Sequence, residues 1–397
     1  MTVRRLLGGL AAVLALCACS PRPPQQPLVH DAYVWQRRWA PPVAEALRDS
    51  ADLVGHWRIL AAEVDARGRF RPMPVDLAAV AASGRPAIPV IRIEAPLAGL
   101  DRPALIADIA ALERAWQASP ATVAGLEIDH DSSSGRLADY ARILADLRPA
   151  LGPDRRLSVT LLPDWLDSPG LDQVLAASDE AVLQLHSLHT PAGSLFHPSS
   201  AWAWTAALAR RTPKPFRVAL PDYGSRIVTG DSGRIEAVES EAPVSTPKGI
   251  GKEVFAPPAT VAAFLRRLEK RPPPGLSGVV WFRLPVSGDT RAWTARTWRA
   301  VVTGGELPVK LSVVLEGDGR ERMVVLSNTG EIDGDLPATL VIEAPCRGLA
   351  AHDGYILEHQ GENSVLVRAG NRLLRAGSRL AVGKADCTRP GTVRIEN

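Results

Sequence analysis

The chain has 397 residues, 46% of them hydrophobic and 22% charged, an ordinary globular balance with room for one large domain and a small one. A formal charge of +3 without a basic run argues against a nucleic-acid partner. The ten tryptophans suit sugar-stacking platforms and a large packed core equally well, so composition decides between neither.

The first residues read as a secretion signal. Arg4 and Arg5 form a positive region and Leu6 to Leu16 an apolar one. Leu16-Cys17-Ala18-Cys19-Ser20 follows, and this is similar to a bacterial lipobox. The expectation is a signal peptide over 1–18, lipidation at Cys19, and a Pro-rich tether over 19–28. Cys17 is the poorer candidate because bulky Leu16 precedes it. An ordinary cleaved signal or a retained anchor helix are the alternatives, and the apolar run is short for a span. Ser20 after the lipidated cysteine fits the periplasmic face of an outer membrane.

From His30 to about Gly304 short apolar runs alternate with helical patterns. Strands are predicted over 30–37, 53–60, 87–94, 123–129, 157–162, 181–186, 215–221 and 276–283. Helices are predicted over 101–119, 136–150, 199–211, 259–271 and 289–303, with Asp101 and Ser199 as N-caps and Pro103 in a first turn. Eight strands alternating with helices predict an α/β fold, a (β/α)8 TIM-type barrel over 29–304. An open doubly wound sheet is the rival, weakened by the lack of a Gly-rich phosphate loop after the first strand. The connection 224–257 is long for a barrel loop and is either a hairpin roofing the site or a disordered excursion.

From Leu307 the pattern changes. Runs at 309–315, 322–327, 338–343 and 363–368 alternate with turns such as Glu316-Gly317-Asp318-Gly319, predicting a small all-β sandwich domain over 305–397. Cys346 and Cys387 fall in this region, and in an oxidising compartment they are expected to pair as a disulfide.

The most informative stretch is Leu126-Glu127-Ile128-Asp129-His130-Asp131. On a strand the three acids share one face and Leu126 and Ile128 the other. Like charges that close raise at least one pKa, which is how an acid stays protonated near neutral pH. Every second residue of the other strands adds His56, Arg58, Arg92, Glu94, Thr160, Gln184, His186, Tyr223, Trp281 and Arg283 to the mouth of the barrel. A buried ion network of the acids with Arg58, Arg92 and Arg283 is the alternative to a site. Trp281 is either a sugar platform or core. His186 and His189 have the composition of a metal pair, but with His130 on the opposite face of its strand ligand convergence is poor, so no metal is expected and no cofactor is implied.

The acidic strand resembles the Asp-Gly-x-Asp-x-Asp-x-Glu signature of family-18, chitinase-type glycoside hydrolases. Ala124 stands for the first Asp, Glu127 for the second and Asp129 for the third, and Asp131 takes the donor's place. Leu220-Pro221-Asp222-Tyr223-Gly224 is similar to that family's Leu-Pro-x-Tyr-Gly, and Gly278-Val279-Val280-Trp281-Phe282 to its strand bearing the floor tryptophan. Leu183-Gln184-Leu185-His186-Ser187 departs from its Met-x-Tyr-Asp. Taken whole, the chain also resembles the bacterial lipoprotein family called domain of unknown function 3142. Its marks here are the lipobox, the His30-Asp31-Ala32-Tyr33-Val34-Trp35 start, the Glu-Ile-Asp-x-Asp strand and the Leu-Gln-Leu-His strand.

The resemblance implies a glycosidase-type barrel whose substrate's own acetamido group is the nucleophile, steered by Asp129. Asp131 is one methylene shorter than the family's donor, so Glu94 and Glu127 are reserve acids. Arg58, Arg92, Gln184, His186, Tyr223, Trp281 and Arg283 are expected to hold the sugar. The expected ligand is a polysaccharide or glycan strand, and the expected membrane contact is the N-terminal lipid anchor. A non-catalytic glycan-binding or envelope-scaffold protein on a degenerate hydrolase fold is the competing class.

Overall fold

The computed structural model describes residues 27–186, 194–230, 235–240, 250–343, 346–360, 363–369, 372–388 and 391–396. The signal segment, Cys19, most of the tether, Ser187 and His189 lie outside the described residues. No helix among the described residues is long and apolar enough to cross a membrane.

The barrel strands are β1 (Val29–Val34), β2 (Trp57–Val64), β4 (Ala87–Ile93), β5 (Leu126–His130), β6 (Leu157–Leu161), β7 (Glu180–Gln184), β8 (Phe216–Pro221) and β12 (Leu276–Phe282). All pair in parallel in the order β1-β12-β8-β7-β6-β5-β4-β2, and β1–β2 pairing closes the ring. An open sheet is thereby excluded. Strand β3 (Phe70–Pro72) extends β2 as an antiparallel hairpin. The second strand begins four residues later than the apolar run suggests, because Ala51–Leu53 is a short 3-10 turn at the end of helix α1 (Pro41–Ser50).

The outer layer adds α2 (Leu77–Ala82), α3 (Arg102–Gln117), α4 (Leu137–Leu151), α5 (Leu171–Ala177), α6 (Pro198–Arg211), α7 (Pro258–Lys270) and α8 (Ala295–Val302). Asp101 caps α3 as expected, its carboxylate accepting from Ala104 N at 3.1 Å. Ser199 does not cap α6, which begins at Pro198 behind an uncapped His197. The last barrel helix starts at Ala295, six residues later than predicted. Asp289 instead closes a turn, accepting from Arg291 N at 2.8 Å and Ala292 N at 3.2 Å, and Thr294 is the true cap.

The long connection after β8 contains an antiparallel sheet of β9 (Gly224–Thr229), β10 (Ile235–Glu239) and β11 (Ile250–Phe255), with β9 central. Beyond the barrel come β13 (Leu311–Glu316), β14 (Glu321–Asn328), β15 (Gly334–Asp335), β16 (Thr339–Ile342), β17 (Cys346–Ala351), β18 (Tyr355–Gln360), β19 (Asn363–Arg368), β20 (Leu373–Leu374), β21 (Arg379–Cys387) and β22 (Val393–Glu396). They form two four-stranded sheets, β13-β14-β21-β17 and β18-β19-β16-β22, beside the small pair β15–β20. Val324, Leu326 and Val382 from one sheet pack with Leu340, Ile342 and Leu366 from the other, a sandwich core. Cys346 and Cys387 are disulfide-bonded across β17 and β21.

Candidate functional site

The barrel interior is stratified by strand phase. Its lower layer is ionic. Arg58 donates to Asp31 at 3.1 Å, to Glu180 at 2.5 Å, to Ser158 at 3.1 Å, and to Glu127. Arg217 adds bonds to Glu180 at 3.1 Å and to the Val29 carbonyl at 3.3 Å. The facing position of β12 is Gly278, where a Cβ would collide with the Arg217 guanidinium. Burial pushes the Asp31 carboxyl up, but the His56 hydrogen bond and the charges of Arg58 and Arg217 outweigh it and hold it at about 2. Burial raises Glu127 above the usual carboxylate range, against the pull of Arg58, Tyr33 and Ser158.

Above this layer lies an apolar belt of Tyr33, Leu60, Val90, Val182, Ala219 and Val280. The Tyr33 hydroxyl points down from it and donates to Glu127 at 2.6 Å. The belt separates the ionic layer from the mouth.

The mouth holds a cavity of about 220 Å³ lined by Tyr33, Trp35, Arg92, Asp129, Thr160, Gln184, His186, Tyr223 and Phe282, with Arg37, Glu94, Asp131 and Ser240 at its edge. The β4–β5 register sets Arg92 beside Asp129. Asp129 is 3% exposed and accepts from Arg92 Nη1 at 2.7 Å and from the Thr160 hydroxyl at 2.6 Å. Asp131 lies just past β5, its side chain 44% exposed, and accepts from Arg92 Nη2 at 2.7 Å. One guanidinium therefore orients both carboxylates, and the two charges it faces hold it well above its ordinary pKa. His186 stacks on Phe282 and meets Tyr223 edge-on, with centroids at 5.7 and 5.6 Å. Burial lowers its pKa to about 4, so its ring is neutral at pH 7.

A second cavity, of about 420 Å³, lies over Ala95 to Ala98 and His130 to Ser133. Glu94 and Asp131 line both cavities. These two acids stand at the boundary where the cavities meet.

Of the predicted residues, Asp129, Asp131, Glu94, Arg92, Gln184, His186 and Tyr223 come together at the mouth. Four do not. Glu127 and Arg58 are sealed in the ionic layer, because residues two apart on a tilted strand occupy different levels of the barrel. Trp281 points outward, fully buried against Trp293 and Trp298, and its indole donates to His30 Nδ1 at 3.0 Å. Its neighbour Phe282 faces the cavity instead. Arg283 is buried outside the cavity, donating to Asp289 at 2.6 Å and to the Ser240 carbonyl at 2.9 Å. Tyr33, Trp35 and Arg37 were not predicted at the mouth, although their alternation along the first strand already placed them on one face. The 224–257 connection reaches the site through Ser240, and its residues 231–234 and 241–249 lie outside the described residues.

The model of the family described as Domain of unknown function (DUF3142) matches residues 83–287, more than half of the chain. A second model, Domain of unknown function (DUF8456), matches 313–388. No curated protein matches. Among solved structures, the spore cortex-lytic enzyme SleL of Bacillus megaterium QM B1551 is similar at a TM-score of 0.50 and 11% identity, over 72% of this chain and 76% of its own. That likeness shows the glycoside-hydrolase-like barrel fold. A chitinase from Chromobacterium violaceum ATCC 12472 matches at a TM-score of 0.49 and 14% identity, over 70% of this chain and 98% of its own. A plant class V chitinase mutant from Cycas revoluta, in complex with (GlcNAc)3, matches at 0.47 and 12% identity, over 64% of this chain and 95% of its own.

Proposed function

We propose, from the premise that the chain belongs to the Domain of unknown function (DUF3142) family, that it is a glycoside hydrolase acting on a glycan strand at the barrel mouth. The observation that carries this reading is the position of Asp131: exposed, past the end of β5, on the boundary shared by two cavities, beside the buried carboxylate of Asp129. A glycan lying across that boundary would present a glycosidic oxygen to Asp131, with Glu94 as the reserve acid. Asp129, fixed by Thr160 and Arg92, cannot swing, which suits the steering of a substrate group rather than proton delivery. Phe282 and Trp35 supply apolar faces for a sugar ring, and Gln184, Tyr223 and neutral His186 supply polar partners. No metal or cofactor enters this reading.

The same proposal places the protein at the bacterial envelope, tethered through lipidated Cys19 on the periplasmic face of the outer membrane. Its support is the charged, apolar and small-residue order of residues 4–20. Replacement of Cys19 by Ser would release the protein from the membrane fraction.

A second reading is favoured by one contact. Arg92 holds the Asp131 carboxylate at 2.7 Å, so Asp131 must leave that guanidinium before it can reach a glycosidic oxygen. If substrate does not break that contact, the protein binds glycans without cutting them. The test is sugar release from a panel of polysaccharides and peptidoglycan strands, with Asp131→Asn and Glu94→Gln alongside. Release that disappears in Asp131→Asn supports the hydrolase. Release that persists in Asp131→Asn but fails in Glu94→Gln moves the donor. Retention of a glycan with no release from any substrate leaves the binding protein.

A further inference from the structure

Outside the mouth, a cleft of about 330 Å³ lies where the barrel meets the C-terminal sandwich, within the size range of small-ligand pockets. Phe255, Leu373 and Leu380 give it an apolar lining. Four arginines, Arg291, Arg372, Arg375 and Arg379, face it against two acids, Glu253 and Asp333. Both acids are already engaged. Glu253 pairs with Arg291, and Asp333 accepts from Thr294 N at 2.6 Å, Thr294 Oγ1 at 3.2 Å and Ala376 N at 2.9 Å.

Arg375 differs from the other three. Its Nη1 and Nη2 donate to the carbonyls of Asp289 and Ala292 at 2.6 and 2.8 Å, which orients the guanidinium without neutralising it. Its Nε is buried with no hydrogen-bond partner, and no carboxylate forms an ion pair with it among the described residues. An oriented, unneutralised cation with a spare buried donor is costly unless an anion completes it. Arg372, tied to Asp353 at 2.9 Å, and Arg379, tied to Glu316, stand at the same cleft and add to its positive field.

The cleft is also joined to the mouth. Arg283 donates to the Ser240 carbonyl, at the mouth, and to the Asp289 carboxylate, while the Asp289 carbonyl accepts from Arg375. The loop after β12 therefore lines the cleft and is bonded to Ser240 of the mouth.

We propose that this cleft binds a carboxylate-bearing sugar unit, so that the glycan taken by the protein is an acidic one. The word glycan rests on the reading of the mouth given above; the anion site rests on the arginines alone. The sugar's carboxylate pairs with the Arg375 guanidinium and with the field of Arg372, while its ring lies against Phe255 and Leu373.

Calorimetric titration of the purified protein with trigalacturonate, its methyl ester and inorganic phosphate tests this. Arg375→Gln, Arg372→Gln and Asp131→Asn are titrated alongside. The expected result is binding of the acid, with the ester and each arginine variant weaker by about tenfold or more. Arg372→Gln serves where Arg375→Gln fails to fold, since Arg372 makes no bond to the barrel loop. Equal binding of acid and ester, undiminished binding in a folded arginine variant, or equally tight phosphate would overturn the site. Loss in Asp131→Asn alone would put the acid at the mouth, overturning this cleft and sparing the hydrolase. The expected binding pattern without sugar release from any substrate would do the reverse.

Discussion

The Nη2 of Arg92 lies 2.7 Å from Asp131, a side chain that remains 44% exposed, while the Nη1 of the same guanidinium reaches the almost fully buried Asp129. The two pairs look alike in distance and differ in surroundings. Water screens the outer pair, so Asp131→Asn should cost within about 1 kcal/mol of stability. Asp129→Asn removes a buried charge from between Arg92 and Thr160 and should cost about 2–4 kcal/mol. Urea unfolding of both variants checks this order. Equal losses would mean that the exposed pair is as important to the fold as the buried one, and would weaken the case that Asp131 is kept for chemistry.

Trp281 and Phe282 are neighbours in β12 with opposite tasks. Trp281 is buried between the barrel and Trp293 and Trp298, so Trp281→Ala should destabilise the protein by about 3–5 kcal/mol through the cavity it leaves. Phe282→Ala should weaken retention of a bound glycan at least as much as it weakens the fold, since its ring faces the mouth. Affinity electrophoresis in a glycan-containing gel, run beside thermal unfolding, separates the two effects. Glycan retention lost in a folded Trp281→Ala protein but kept in Phe282→Ala would reverse these assignments.

That pair also shows what was legible in the sequence. The alternation of short apolar runs with helical patterns was enough for the barrel, the order of its strands and the change to a sandwich. Most of the mouth followed from taking every second residue on β4, β5 and β7. A strand's phase was hidden wherever it depended on tertiary packing. On β12, Gly278, Val280 and Phe282 face inward because the lower layer needs room for Arg217 and the outer face needs Trp281 against α8. Nothing within Gly278–Phe282 distinguishes the two faces. Level was hidden as well as face: Glu127 and Asp129 share an orientation, yet the apolar belt divides them. Which of the many arginines is left unneutralised, as Arg375 is, depends on contacts between segments far apart in sequence.

The ionic layer makes a stability prediction of its own. Arg58 is fully buried and bonds Asp31, Glu127 and Glu180. Arg58→Met would leave those acids with Arg217 as the remaining buried guanidinium of the layer, and breaking such a network costs about 3–5 kcal/mol. Glu127→Gln should cost much less: with the amide oxygen in the Oε2 position it still accepts from Arg58 and Ser158, and the amide NH2 then faces the Tyr33 hydroxyl, which can turn to accept. Denaturant midpoints decide the matter: if Glu127→Gln is as damaging as Arg58→Met, the Glu127 charge is essential and its raised pKa carries no weight in the fold.

Two half-buried histidines contribute to the acid limb of stability. Burial lowers His30 to about 4, with Asp31 opposing and Arg217 assisting, and burial likewise lowers His186 to about 4. Each is neutral in the folded protein; His30 Nδ1 accepts from the Trp281 indole and would lose that bond on protonation. The unfolded chain takes up these protons near pH 6.5 and the folded chain only near pH 4, so the unfolded state binds more protons in between. Stability from this source is full above pH 6.5 and falls as the pH drops toward 4, by an amount on the order of 3 kcal/mol for the pair after allowance for partial exposure. Asp31, held at about 2, stays ionised in the folded protein through this window and adds to the slope only near pH 4, where the unfolded chain begins to protonate it. Asp222 runs the other way. Burial pushes its carboxyl, which has no side-chain hydrogen-bond partner among the described residues, well above its ordinary pKa against the charge of Arg283, and this penalises the folded state once the unfolded chain ionises above pH 4. Asp222→Asn should therefore stabilise the protein at pH 7, and His186→Gln should flatten the slope between pH 6.5 and 4. Urea midpoints measured across that range, for wild type and both variants, test the pair of signs. A midpoint of the Asp222→Asn variant, which lacks the opposing carboxyl, unchanged between pH 7 and pH 4.5 would show that the imidazoles are not held neutral.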